Sequence, residues 1–214
     1  SANLNGVVAI AEPTAGSLAN IEYLRRGQID LALLQSDVAW QAGNSTADNR
    51  FRELRIIASL YSEVIQLVVR DNSNIKELKD LKGCRIAVGD KDSGSAASII
   101  PVFKAAGLEE GDYTIVYERF TRATESLIDG YVDAVYYAGA VPADGIIRLN
   151  AKMPVRLIGI PTDVRQKLLA EHPYFTGENI LAGSYKNQKA DVTTIGFRAL
   201  FAGTERLSPN EVYN

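Results

Sequence analysis

The residues best placed for chemistry lie in Gly89-Asp90-Lys91-Asp92-Ser93-Gly94-Ser95. This segment follows Arg85 to Val88, which reads as a strand, and opens a helix running through Ala106. A glycine-bearing loop between a strand and a helix presents free N–H groups and the positive end of the helix dipole. That arrangement suits a carboxylate or a phosphate. Ser93 and Ser95 add hydroxyls that can reach the same anion. Either serine can equally act as an ordinary helix cap, and both roles stay open at this point. No Gly-Lys-Ser/Thr follows, so the segment is not a nucleotide-binding P-loop. Thr14-Ala15-Gly16-Ser17 makes a matching arrangement, with Ser17 expected as N-cap of the next helix. Gln35-Ser36-Asp37 follows a buried strand and offers an amide and a hydroxyl to a polar ligand, or a helix cap. Tyr61 and Glu63 follow another strand end, with Tyr61 positioned to cover a ligand or to pack. Gly139 sits in a further loop of this kind, after a third strand.

Enzyme signatures are missing from the same survey. The single histidine, His172, precedes Pro173 in a turn-like stretch and is expected at the surface. No Gly-x-Ser-x-Gly elbow is found, which speaks against a serine hydrolase of that type. No His/Asp/Glu group has metal-ligand spacing, so neither a metal nor a cofactor is expected. The one cysteine, Cys84, excludes an internal disulfide and a Cys-based zinc site. It is read as a small core hydrophobe within a buried strand, Gly83 to Gly89.

The elements that position these residues announce themselves through a repeat. Leu24-Arg25-Arg26-Gly27-Gln28-Ile29-Asp30-Leu31-Ala32 is echoed by Leu127-Ile128-Asp129-Gly130-Tyr131-Val132-Asp133-Ala134-Val135. Each copy reads as the last turn of a helix, a glycine in a left-handed conformation, and then a buried strand. Asp30 and Asp133, at the start of each strand, are read as turn or capping residues. The helix after Ser17 carries Leu18, Ile21 and Leu24 on one face. Ile29 to Leu34 is a continuous apolar run, as in a parallel strand covered on both sides. Short strands are also read at Val7–Ala11, Leu54–Leu60, Val64–Arg70, Tyr113–Glu118, Val155–Ile160 and Val192–Ile195. Strands alternating with helices define two similar α/β lobes with mostly parallel sheets. Ligands of open α/β sheets bind at loops on the carboxyl ends of strands.

Length and composition agree with two small cores. The chain has 214 residues, 46% of them hydrophobic and 23% charged, with a net charge of −3. That near-neutral balance, without Lys/Arg clusters, gives no footprint for nucleic acid. The longest apolar runs, such as Ile65 to Val69, are strand-length, so no membrane-spanning helix is expected.

As a series, the phrases resemble a family. They are Gly16-Ser17-Leu18-Ala19-Asn20, Gly27 to Ala32, Gln35 to Ala39, Leu60-Tyr61-Ser62-Glu63, Asp80 to Gly83 with Arg85 to Gly89, Ser93-Gly94-Ser95, and Asp129 to Ala134. The chain resembles the extracytoplasmic solute-binding proteins of tripartite ATP-independent periplasmic (TRAP) transporters, in their TAXI branch. The resemblance implies a two-lobed type II periplasmic-binding fold, an α/β architecture with helices flanking the sheets and a ligand cleft between the lobes. It implies capture of a small organic acid or amino acid, such as glutamate or 2-oxoglutarate or a related dicarboxylate. It further implies delivery to membrane permease subunits, a periplasmic location after export, and no catalysis. The expected division is lobe I at residues 1–70 and 186–214, and lobe II at 71–185, with crossings near Leu67–Ser73 and Ala182–Ala190. Family members begin with a further strand and glycine-rich loop ahead of Val7, so lobe I is expected to lack them and to end short after Tyr213. Ala15 stands where glycine is usual, and Ser62 where proline is usual. The expected ligand contacts are Ser93, Gly94 and Ser95 from one lobe, Ser17, Gln35 and Ser36 from the other, and Tyr61 and Gly139 closing the pocket. The alternative is the ligand-sensing domain of a LysR-type transcription regulator, whose discriminator, an N-terminal helix-turn-helix, is not read in this sequence.

Overall fold

The structure, a computed structural model, describes residues 9–45 and 50–213. The expected first strand falls partly outside them, at Val7 and Val8, and Ala9 to Ala11 are irregular. Helix α1 (Ser17–Arg25) leads to strand β1 (Leu31–Gln35) and helix α2 (Ser36–Asn44). Next comes β2 (Leu54–Arg70), then β3 (Arg85–Ala87), α3 (Gly94–Ala105), β4 (Thr114–Val116), α4 (Phe120–Asp129) and β5 (Ala134–Gly139). The chain ends with α5 (Asp144–Lys152), β6 (Val155–Ile158), α6 (Thr162–Glu171), β7 (Thr176–Ile180), β8 (Val192–Thr204) and the short α7 (Pro209–Tyr213).

The eight strands form one sheet in the order β1-β8-β2-β5-β3-β4, with β6 also on β2 and β7 also on β8. Two long strands hold it together. Leu54 to Glu63 of β2 runs antiparallel to Thr204 to Phe197 of β8, while Val64 to Val69 of β2 pairs with β5. The expected break at Tyr61-Ser62-Glu63 is instead a register shift between Ser59 and Ser62 inside one continuous strand. An extra residue on one strand bends it without ending it. Residues 67–69 pair on both edges, with β5 and with β6. Parallel pairing, expected for most of the sheet, occurs among the described residues only in β3–β4 and β3–β5; the other ladders are antiparallel. The reason is that β2 and β8 return through the sheet in the opposite sense to their neighbours.

Packing divides the molecule into two halves on either side of that register shift. Around β2, β5 and β3, α3 and α6 cover one face through Phe103, Ile99 and Leu168. On the opposite face, α4 and α5 pack through Leu127, Ile146 and Leu149. Alternation along β5 serves both: Ala134, Tyr136 and Ala138 face the first cluster, Val135 the second. The smaller half has one covered face, where Ile21, Leu24, Leu34, Val38 and Ala202 meet. Its opposite face carries Leu31 and Leu33, which is 53% exposed, so β1 is not the doubly covered strand expected from its apolar run.

The helix ends of the repeated phrase fold as read, whereas only the second copy leads into a fully covered strand. Gly27 and Gly130 have φ of 65° and 79°, each just after a helix end. Asp133 then anchors the second copy. Its carboxylate accepts from the Arg85 amide at 2.9 Å and from the guanidinium at 3.0 and 3.1 Å, with Arg70 at 3.8 Å. Burial pushes this carboxyl up, but the Arg85 bonds and the two arginine charges outweigh it and hold it below the usual range. A carboxylate with a lowered pKa stabilises above its unfolded pKa, and that stability is lost as pH falls through the folded value. Asp133→Asn is expected to cost about 1–3 kcal/mol at pH 7 and progressively less under acid conditions, measured by urea unfolding. A loss independent of pH would deny the ion pair its role.

Two other readings change. Cys84 is half-buried just ahead of β3, with its Sγ 3.5 Å from the Asp80 carbonyl. His172 is half-buried as well, its Nδ1 3.1 Å from the Tyr174 hydroxyl and its ring against Phe175.

Candidate functional site

Two helix N-termini from different halves of the molecule meet at one cavity. Helix α3 begins at Gly94, capped by Ser93, whose hydroxyl accepts from the Ala96 amide at 3.1 Å. Helix α1 begins at Ser17, with Gly16 as N-cap at φ 128°, a conformation glycine tolerates. Ser17 is therefore not the cap; its hydroxyl accepts from the Gln35 amide at 3.1 Å and ties α1 to the end of β1. The two helix starts touch. The Ala19 amide donates to the Asp92 carbonyl at 3.3 Å, and a Cβ on Gly16 would come within 2.9 Å of the Ser93 Cα. Among the described residues no acceptor meets the amides of Ser17, Leu18, Gly94 and Ser95. The first amides of a helix have no partner within it, so these four point their donors outward.

The cavity beside them holds about 260 Å³. Gly16, Ser17 and Asn20 line it from α1, and Leu33, Leu34 and Gln35 from β1. The other wall is Ser93, Gly94 and Ser95, and the floor comes from Tyr61, Glu63, Ala138 and Ala199 of the long strands and β5. Ser95 anchors its wall, its hydroxyl accepting from the Ala138 amide at 3.1 Å. Gln35 donates through Nε2 to the Glu63 carboxylate at 2.6 Å, and its Oε1 has no donor. The Gln35 side chain lies so close over Gly94 that a Cβ there would overlap its carboxamide. Burial pushes the Glu63 carboxyl up, and the bond from Gln35 offsets part of that rise. No lining residue is Lys, Arg or His.

Of the residues singled out from the sequence, Ser17, Gln35, Tyr61, Ser93, Gly94 and Ser95 line this cavity. Ser36 lies outside it, accepting from the Arg198 amide at 3.1 Å and donating to the Tyr174 carbonyl at 3.3 Å. Gly139 pairs with Val64 in the β2–β5 ladder, and its neighbour Ala138 reaches the cavity instead. Glu63 and Asn20 were not chosen as contacts. Glu63 had a signal, its place after a strand end beside Tyr61; Asn20 had none apart from its distance from Gly16.

Beneath the site, Asp37 stands in the first turn of α2 and is 1% exposed. Burial raises its carboxyl to about 7, opposed in part by the Val38 and Asp37 amides and reinforced by the charge of Glu63. Burial pushes the Tyr136 and Tyr174 hydroxyls up, and the nearby Asp37 charge adds to the rise.

Paired lobes joined through two long strands, with opposed helix N-termini at the junction, define the fold of periplasmic solute-binding proteins. Similar solved structures carry it. The periplasmic aliphatic sulphonate binding protein SsuA from Escherichia coli matches at TM-score 0.52 and 22% identity, over 89% of this chain and 50% of its own. An ancestral arginine-binding protein bound to arginine matches at 0.54 and 20%, over 91% and 66%. A putative L-cystine ABC transporter from Listeria monocytogenes matches at 0.53 and 16%, over 94% and 68%. The chain thus spans about half the length of the E. coli protein and about two thirds of the other two. By sequence, residues 2–214 match the NMT1-like family, and the chain belongs to it. No helix among the described residues is long and apolar enough to cross a membrane.

Proposed function

We propose that this chain is the extracytoplasmic solute-binding subunit of a TAXI-type TRAP transporter. It captures a small organic acid such as glutamate or 2-oxoglutarate and hands it to the membrane permease subunits. The observation that carries this reading is the opposition of two helix N-termini, each from its own half, across one small cavity. Each terminus offers an anion about 0.3–1 kcal/mol, rising to about 2 where water is largely excluded. An anion that binds both halves at once favours the closed arrangement over the open one, because only the closed form makes both sets of contacts. The smaller half stands for lobe I and the larger for lobe II, except that residues 64–70 and 192–197, given to lobe I by the sequence division at 1–70 and 186–214, pack in the larger half with 71–185. The hinge falls within β2 and β8 at the register shift facing Arg198, a few residues before the boundary read from sequence.

Titration calorimetry with L-glutamate and with 2-oxoglutarate tests the reading. Binding of at least one acid is expected, and Ser95→Ala is expected to weaken it about five- to tenfold, the worth of one hydrogen bond of about 1 kcal/mol. Unchanged affinity in that variant removes the Ser95 hydroxyl from the site, and Gly94→Ala then tests the α3 start itself.

A further inference from the structure

The walls of the cavity are complementary to two opposite charges. On one side stand the donor amides of Gly94, Ser95 and Ser17, suited to a carboxylate. On the floor stands the Glu63 carboxylate, bonded to Gln35, whose unpaired Oε1 lies over Gly94 between the two. Gln35 is 6% exposed, and its oxygen meets no donor, although a buried unpaired carbonyl costs about 1–3 kcal/mol. Its partner Nε2 is already committed to Glu63, so rotating the amide would only exchange one unmet group for a repulsive contact. With no Lys, Arg or His lining the cavity, nothing in its wall balances the Glu63 charge.

We propose that Glu63 and the Gln35 carbonyl form an ammonium subsite beside the carboxylate subsite at Gly94 and Ser95. The protein then selects α-amino acids, bound as zwitterions, over the matching 2-oxo acids. This rests on the solute-binding reading above and narrows its ligand. An ammonium supplies three donors: one for Glu63, one for the buried, unpaired Gln35 oxygen, and one to spare. A 2-oxo acid brings a carbonyl to the same place and sets three acceptors against one another. Sites built to hydrogen-bond a substrate N–H reject analogues lacking it strongly, because their buried groups are left unpaired. The upward pull of burial on Glu63 agrees with a carboxylate whose counter-charge arrives with the ligand. The close approach of Gln35 over Gly94 sets the two subsites side by side, as the adjacent groups of an α-amino acid require.

The test is calorimetry on matched pairs: L-alanine and pyruvate, L-leucine and 4-methyl-2-oxopentanoate, L-glutamate and 2-oxoglutarate. In whichever pair binds, the amino acid is expected to bind at least ~100-fold tighter than its 2-oxo partner. Glu63→Gln, isosteric and still able to accept from Gln35, is expected to shrink that gap below ~10-fold by weakening the amino acid. A 2-oxo acid that binds as tightly as its partner, with Ser95→Ala still weakening it, overturns the ammonium subsite and leaves the solute-binding reading standing. A gap unaffected by Glu63→Gln also overturns it. If no acid of either series binds, both readings fall together. Should Glu63→Gln not fold, the wild-type ratio alone decides.

Discussion

Asp37→Asn is expected to stabilise the protein at pH 8 and to destabilise it at pH 4. The carboxyl is 1% exposed and its pKa is raised by burial from 3.8 to about 7. A raised acid favours the folded state most when protonated in both states, below about pH 4. That contribution falls away as pH rises through the interval up to about 7 and then levels off. The gap, at about 1.4 kcal/mol per pH unit, amounts to about 4 kcal/mol that wild type forfeits by pH 8. Asparagine keeps the shape and carries no charge, so it escapes this penalty. Its new NH2 group must find an acceptor, and leaving it unmet costs about 1–3 kcal/mol at every pH. The difference between the two proteins should therefore change sign: roughly 1–3 kcal/mol in favour of the variant at pH 8, and a similar amount against it at pH 4. Urea unfolding of both proteins at the two pH values measures it. A difference of constant sign and size would mean that Asp37 stays charged when buried.

The fold was legible in sequence where a local backbone rule decides the outcome. Gly27 and Gly130 ended helices because a chain leaving a helix often turns left-handed there, and that needs only the glycine and its neighbours. Helix α1 was legible through the spacing of Ile21 and Leu24, and α3 through Ser93 at its start. What failed to show depended on distant partners. Tyr61-Ser62-Glu63 reads as a turn, since three polar or amphipathic residues interrupt two apolar runs. In the folded chain β8 pairs across that interruption, and the register shift lets Ser62 and Glu63 stay in the ladder. Strand direction is a property of pairs, so the antiparallel β1–β8 and β2–β8 ladders left no mark in any single segment. The site divides the same way. Its glycine and serine loops were visible because helix starts have a recognisable composition. The Gln35–Glu63 bond joins residues far apart in the chain, and neither residue type declares such a partner.

Gly94→Ala is expected to abolish tight ligand binding while leaving the fold intact. Helix starts accept alanine, and Gly94 does not adopt the left-handed conformation that would penalise a side chain. Alanine in a helix is in fact favoured over glycine by about 1 kcal/mol, so the melting temperature should hold or rise slightly. The obstacle is across the cleft. The added Cβ would overlap the Gln35 carboxamide, which cannot simply swing aside. Its Nε2 is held by Glu63, and the Gln35 amide is held by Ser17. Either the Gln35–Glu63 bond breaks or the two halves stand apart at this point. In both cases the carboxylate subsite and the acceptors opposite it lose their spacing, and an affinity loss of at least ~100-fold is expected by calorimetry. Gln35→Ala in the same chain removes the overlap, so the double variant should bind about as well as Gln35→Ala alone. That non-additivity separates a steric clash from a general disturbance, because neighbours that share one obstacle do not count it twice. If Gly94→Ala binds like wild type, the contact of Gln35 with the α3 start plays no part in closing the site.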